Sequence, residues 1–135
     1  MLKHFRNRKG FTLVEILIVV VMLAILFAIA VPIYISYVAS ARSAEAQEAI
    51  NAIKAAAKVF QARNGQWPNN VQQMDQLLQF EEVTELRWTF NIVTAGQGLA
   101  QISATSLGQM PGGAGKVVTL DVRTGEWRGY GFDSN

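Results

Sequence analysis

Cysteine is absent from the 135 residues. The chain therefore has no disulfide staples and no thiolate metal ligands, and thiols say nothing about its redox compartment. Histidine occurs once, as His4 near the N-terminus, so the body of the chain has no imidazole for a Ser-His-Asp relay and no His-based metal set. Basic residues are also sparse once the start is passed. Lys3, Arg6, Arg8 and Lys9 supply +4, and the remaining eight cations face ten acids, a net of −2. The formal charge of +2 thus belongs to the leader, and without a basic cluster elsewhere nucleic acid is excluded as the main partner.

Nucleotide chemistry fails on spacing. The glycine-rich run Gly108–Val118 contains Gly115-Lys116, but a phosphate loop built on that pair needs glycine at 110 and serine or threonine at 117. Met110 and Val117 stand there instead, so the run is expected to be a flexible loop. Asp121, Glu126 and Asp133 would be the candidates for a calcium ion near the C-terminus, but they are scattered acids without an oxygen-rich loop, so no metal site is assigned. No cofactor and no catalytic residues are expected.

What the chain does have is a long apolar run. From Ile16 to Val31 no side chain is polar, and between Phe11 and Ile35 only Thr12 and Glu15 are strongly so. As a helix, these 25 residues reach roughly 37 Å, enough to cross a hydrocarbon core of about 30 Å with some tilt. A secretory signal has a shorter apolar stretch and a small-residue cleavage site after it. Here Pro32-Ile33-Tyr34-Ile35 follows, so the segment is expected to stay on the protein. The basic leader remains cytoplasmic and sends the rest outward.

Gly10 before the run, Phe11-Thr12-Leu13-Val14, the acid Glu15 and the late Pro32 together resemble the N-terminal segment of type IV prepilins and type II secretion pseudopilins. The likeness is detailed over about residues 8–37 and general beyond. It implies that a prepilin peptidase cuts between Gly10 and Phe11 on the cytoplasmic side and methylates the Phe11 amine. This chain would be the substrate of that chemistry. It also implies polymerisation into a helical homo-oligomeric filament with other pilins, driven by an inner-membrane platform protein and an assembly ATPase. The subunit would sit in the bacterial inner membrane before assembly, and in a periplasmic or extracellular filament after it.

Glu15 is the costly residue, because an ionised group at mid-membrane is disfavoured by about 2.5–3.5 kcal/mol on insertion scales. Its place near the helix start eases that cost through the positive end of the helix dipole. Cleavage before Phe11 would add a cationic amine four residues away, and the amine of one subunit would pair with Glu15 of its neighbour. Such a pair fixes axial stagger, since either charge alone in an apolar core is penalised. The plainer alternative is that Glu15 snorkels or caps the helix. Pro32 removes a backbone donor and is expected to kink or open the helix. In filaments of the family an extended stretch precedes this proline, but a simple kink at the membrane exit is the alternative. Tyr34 and Tyr37 fall where an aromatic belt would lie.

From Ser36 to Asn64 the helical pattern continues. Ala46, Ile50, Ile53, Ala57 and Phe60 form one apolar stripe, with Glu48, Asn51, Lys54 and Lys58 turned away. Ala52, Ala55 and Ala56 lie outside the stripe, where small residues would let helices approach closely. Helix propensity explains them as well. Asn64-Gly65 with Pro68 beyond predicts the helix stop, and a short turn or helix follows within Val71–Phe80.

Strands are expected at Glu85–Val93, Leu99–Ser106, Lys116–Val122 and Glu126–Phe132. The first alternates Leu86, Trp88, Phe90 and Ile92 on one face, and a tight hairpin with Gly125 at a positive-φ position joins the last two. Trp88, Phe90 and Trp127 are expected to form the core, the rival being a carbohydrate or surface-binding patch. The reading is an α+β, type IV pilin-like fold with a long N-terminal helix, transmembrane then amphipathic, on an antiparallel sheet of three or four strands. Its parts are a cleaved leader at 1–10, a membrane and assembly helix at 11–35, an amphipathic half at 36–65 and a sheet domain outside the membrane at 66–135. A pilus subunit is the first reading and a type II secretion pseudopilin the second. A single-pass anchored sensor or binding domain, with its leader retained, is the reading from another class.

Overall fold

The computed structural model describes residues 10–80, 82–96 and 98–132. The leader residues Lys3, His4, Arg6, Arg8 and Lys9, and Asp133 of the acid set, lie outside the described residues. Contacts divide the chain into two units, Met1–Ile35 and Ser36–Asn135.

Helix α1 runs from Leu13 to Asn64 and contributes to both units. In the first unit its apolar side chains have no protein cover: Ile18 is 49% and Leu26 61% exposed. Within α1 an 18-residue window reaches a mean hydropathy of 3.3 with none of it buried, which suits a bilayer core by length and composition. The helix continues through Pro32.

In the second unit α1 becomes one-sided. Ala46, Ile50, Ile53 and Ala57 are fully buried, while Phe60 is partly buried against them. Ala49 and Ala56 are buried too, so the stripe is wider than the sequence spacing indicates. Ala56 belongs to the core-facing side, whereas Ala52 and Ala55 are exposed, as are Glu48, Asn51 and Lys58; Lys54 is half-buried. A helix lying on a sheet buries an arc of more than 100°, and that arc takes in both flanking alanines. The helix stops at Asn64 as expected. Gly65 adopts φ 72° and its N–H donates to the Gln61 carbonyl at 2.8 Å, closing the last turn with the left-handed geometry that glycine tolerates.

The segment after the helix meets one expectation and corrects another. Within 71–80 the regular structure is one 3-10 turn, Val71–Met74, capped by Asn70, with Met74 buried. Glu85–Arg87 is not strand: a second helix, α2, covers Glu82–Arg87. Glu, Leu and Arg favour helix, and the aromatic and β-branched residues that favour strand start only at Trp88. Leu86 accordingly stands 52% exposed on α2 rather than beside Trp88. The end of α2 is held by an Arg87–Glu45 ion pair at 3.3 Å and by the Leu107 N–H donating to the Arg87 carbonyl.

Four antiparallel strands follow in the order β1-β2-β3-β4: Trp88–Ala95, Gly98–Ser106, Val117–Asp121 and Trp127–Gly129. Ile92 pairs with Ile102, Ile102 with Leu120, and Leu120 with Trp127. This register puts apolar side chains from successive strands on one face, as the two-residue period requires. Trp88, Ile92, Ile102, Ala104, Val118 and Leu120 are buried there in one cluster with the α1 stripe. Of the three aromatics expected in the core, Trp88 is buried at 2% exposure, whereas Phe90 and Trp127 are partly buried against the core, Phe90 stacking on Phe80 at 5.2 Å and Trp127 on Phe132 at 5.9 Å. Strand β4 has three residues rather than the expected seven, because Gly129 takes φ 92° and the chain turns, with the Phe132 N–H donating to the Gly129 carbonyl.

The glycine-rich stretch is tethered rather than free. Met110 is 3% exposed inside the core. The Ser106 hydroxyl donates to the Gly113 carbonyl and accepts from the Lys116 N–H, both at 2.8 Å. Glycine content alone concealed this, since one buried side chain anchors the loop.

Candidate functional site

The chemistry expected of this chain lies at the start of α1. Gly10 and Phe11 are exposed and non-helical, and Phe11 is 83% exposed. A Cβ on Gly10 would meet nothing within 4 Å, so the Gly10–Phe11 peptide bond is open on its glycine side.

Thr12 begins the helix. Its carbonyl accepts the Ile16 N–H at 3.3 Å, the first helical hydrogen bond. Its hydroxyl oxygen accepts the Glu15 N–H at 3.2 Å. In return Glu15 Oε2 accepts the Thr12 N–H at 2.8 Å and the Thr12 hydroxyl at 3.0 Å. This is a capping box, in which two backbone donors left over at a helix start are satisfied reciprocally. The acid is therefore not stranded along the apolar run. It lies in the first turn, where negative charge is favoured by the helix dipole. The capping alternative for Glu15 is seen in this geometry, and Glu15 Oε1 has no hydrogen-bond partner among the described residues.

Thr12 is the residue that sequence reasoning passed over. Its signal was present in Thr-Leu-Val-Glu, a threonine three positions before a glutamate at the head of an apolar run. The apolar groove beside it, lined by Phe11, Leu13, Ile16, Leu17 and Val20, is open helix surface. Pro32, the fourth residue expected to matter, lies far along the helix from this cluster.

Of the acids considered for metal binding, Asp121 and Glu126 are engaged elsewhere. Asp121 Oδ1 accepts the backbone N–H groups of Arg123 at 2.9 Å and Thr124 at 3.1 Å. The Thr124 and Arg123 bonds hold its carboxyl below the ordinary range. Glu126 pairs with Arg128 at 2.6 Å. Among the described residues no three His, Cys, Asp or Glu side chains converge.

Comparison with known proteins points at the same segment. Residues 5–31 match the model of the prokaryotic N-terminal methylation motif. The chain is 40% identical over 63 residues to a fimbrial protein of Neisseria meningitidis serogroup A, covering 47% of this chain and 37% of that protein. It is likewise 40% identical over 63 residues to the type IV major pilin protein PilE1 of Neisseria gonorrhoeae, covering 38% of it. With the type II secretion system core protein G of Pseudomonas aeruginosa it shares 38% identity over 73 residues, 54% of this chain and 51% of the relative. The matched region is thus well under two thirds of each relative.

Proposed function

We propose that the chain belongs to the type IV pilin and pseudopilin family, to which its N-terminal segment is similar, and is a structural filament subunit, cut between Gly10 and Phe11 and methylated on the Phe11 amine. The methylation-motif match leading into an uncovered apolar helix carries this reading. The subunit waits in the inner membrane with its leader in the cytoplasm. It then enters the filament when the helix exchanges lipid for the helices of neighbouring subunits. The family is structural, and in this reading the chain catalyses nothing itself. A prepilin peptidase, a platform protein and an assembly ATPase act on it, and nucleic acid is not its main partner.

Within this reading Glu15 has two successive roles. In the isolated subunit it closes the capping box with Thr12. In the filament its carboxylate, with Oε1 still open, takes the Phe11 amine of a neighbour and sets the stagger, because a misregistered subunit leaves two unpaired charges in an apolar core. Pro32 supplies the point at which the helix opens or bends during packing, since no N–H at that position holds the preceding turn.

A second reading, a type II secretion pseudopilin, is favoured by the match to protein G, which extends over more of both chains than the pilin matches. Mass spectrometry of the N-terminal peptide, from membranes and from sheared surface material of native cells, tests both. Methylated Phe11 in sheared fibres is the expected result for a pilus subunit, and methylated Phe11 confined to membranes selects the pseudopilin. An intact leader in the mature population would overturn both and leave a membrane-anchored binding domain.

A further inference from the structure

The end of α1 remote from the methylation motif carries a cleft of about 480 Å³, within the range of small-molecule sites. It forms because Gly65 turns the chain back on itself after Asn64. Gln66, Trp67 and Asn69 then pass beside Gln61 of the last helical turns, while the β1–β2 hairpin contributes Thr94 and Gly96. Among the described residues no charged side chain lines it.

The lining amides and the Thr94 hydroxyl are uncommitted among the described residues. Nearby Asn64 and Asn70 use their side chains in capping, Asn64 on the Phe60 carbonyl and Asn70 on the Gln73 N–H. By contrast, the side chains of Gln61, Gln66, Asn69 and Thr94 make no hydrogen bond among the described residues. Trp67 is half-buried against the core, so its ring is held as a fixed wall rather than a mobile side chain.

We propose that this cleft binds a neutral saccharide. Each primary amide offers two donors and one acceptor, which matches the mixed donor and acceptor character of adjacent sugar hydroxyls. The negative face of an indole attracts the polarised C–H groups on the flat side of a pyranose ring. The absence of lysine, arginine and carboxylate from the lining disfavours phosphates, sialylated sugars and ammonium ligands, each of which calls for an opposite charge. A wall fixed by packing lowers the ordering cost of binding. The site lies wholly in the second unit, and the inference does not depend on filament assembly.

The test is binding of the detergent-solubilised full chain to an array of neutral, sialylated and sulfated oligosaccharides, followed by titration of the best neutral ligand. The Q66A/N69A double variant changes two exposed residues, and its fold is checked by thermal melting. It is expected to weaken binding roughly tenfold while its melting is unchanged. Trp67→Phe is expected to weaken binding less than Trp67→Ala. Failure to bind any neutral saccharide, preference for the charged glycans, or a double variant that binds as tightly as the parent would each overturn the proposal.

Discussion

Gly131 crosses α1 directly over Ser43. A Cβ built on Gly131 would lie 2.7 Å from Ser43 Cβ and 3.1 Å from the Ala39 carbonyl oxygen, with the Ser43 hydroxyl nearer still, and Gly131 has φ 86°. Ser43 is 1% exposed and donates its hydroxyl to the Ser40 carbonyl at 2.8 Å. Two small residues thus let the chain after β4 lie on the helix backbone. Gly131→Ala is expected to destabilise the protein by about 2 kcal/mol, through overpacking together with the strained φ. In a double-mutant cycle Ser43→Ala should recover part of that loss, because it removes the nearest atom, and urea denaturation of all four proteins measures the coupling.

At the start of α1 the two roles proposed for Glu15 separate by substitution. Glutamine preserves a capping box but carries no charge. Glu15→Gln is therefore expected to leave hydrogen exchange of the Glu15 amide in bicelles unchanged while slowing filament assembly. Thr12→Val removes the hydroxyl that serves the cap, a loss of about 1 kcal/mol, and should accelerate that exchange about fivefold. Normal assembly by Glu15→Gln would reduce the acid to a helix cap.

The β3–β4 hairpin should respond to acid. Asp121 is held below its ordinary range by the Thr124 and Arg123 N–H groups, so its contribution is fully present above the unfolded carboxyl pKa of about 3.9 and is lost as pH falls through the lower folded value. Asp121→Asn keeps an acceptor for both N–H groups without titrating. The difference in denaturation midpoint between parent and variant should be constant from pH 7 to about pH 5 and should change below about pH 4.

Met110 gives the loop its anchor. Met110→Ala opens a cavity under residues 107–116 and is expected to cost about 2–3 kcal/mol. It should also make the loop a preferred cleavage site in limited proteolysis, where the parent is resistant. A variant as stable and as resistant as the parent would show that the loop is held by its hydrogen bonds alone.

The sequence by itself determined the parts of this protein that local chemistry controls. Sixteen consecutive apolar residues define the membrane-length helix because its partner, lipid or other helices, requires nothing but length and apolarity. Thr12 and Glu15 are legible as a motif because a capping box depends on spacing along one strand of chain, and the cleavage proposed between Gly10 and Phe11 rests on the same local pattern. The α1 stripe, the Asn64-Gly65 stop and the Gly125 hairpin follow from period and backbone preference. Tertiary structure decided the rest. Glu85–Arg87 alternates as a strand would and yet forms helix, because alternation over three residues does not outweigh helix propensity and the long-range tie to Glu45. Met110 looks like part of a free loop until the core shared by α1 and the sheet accepts it. Gly131 over Ser43, and the amide-lined cleft between Gln61 and Thr94, join residues whose proximity exists only once the sheet lies on the helix. No local pattern encodes that packing.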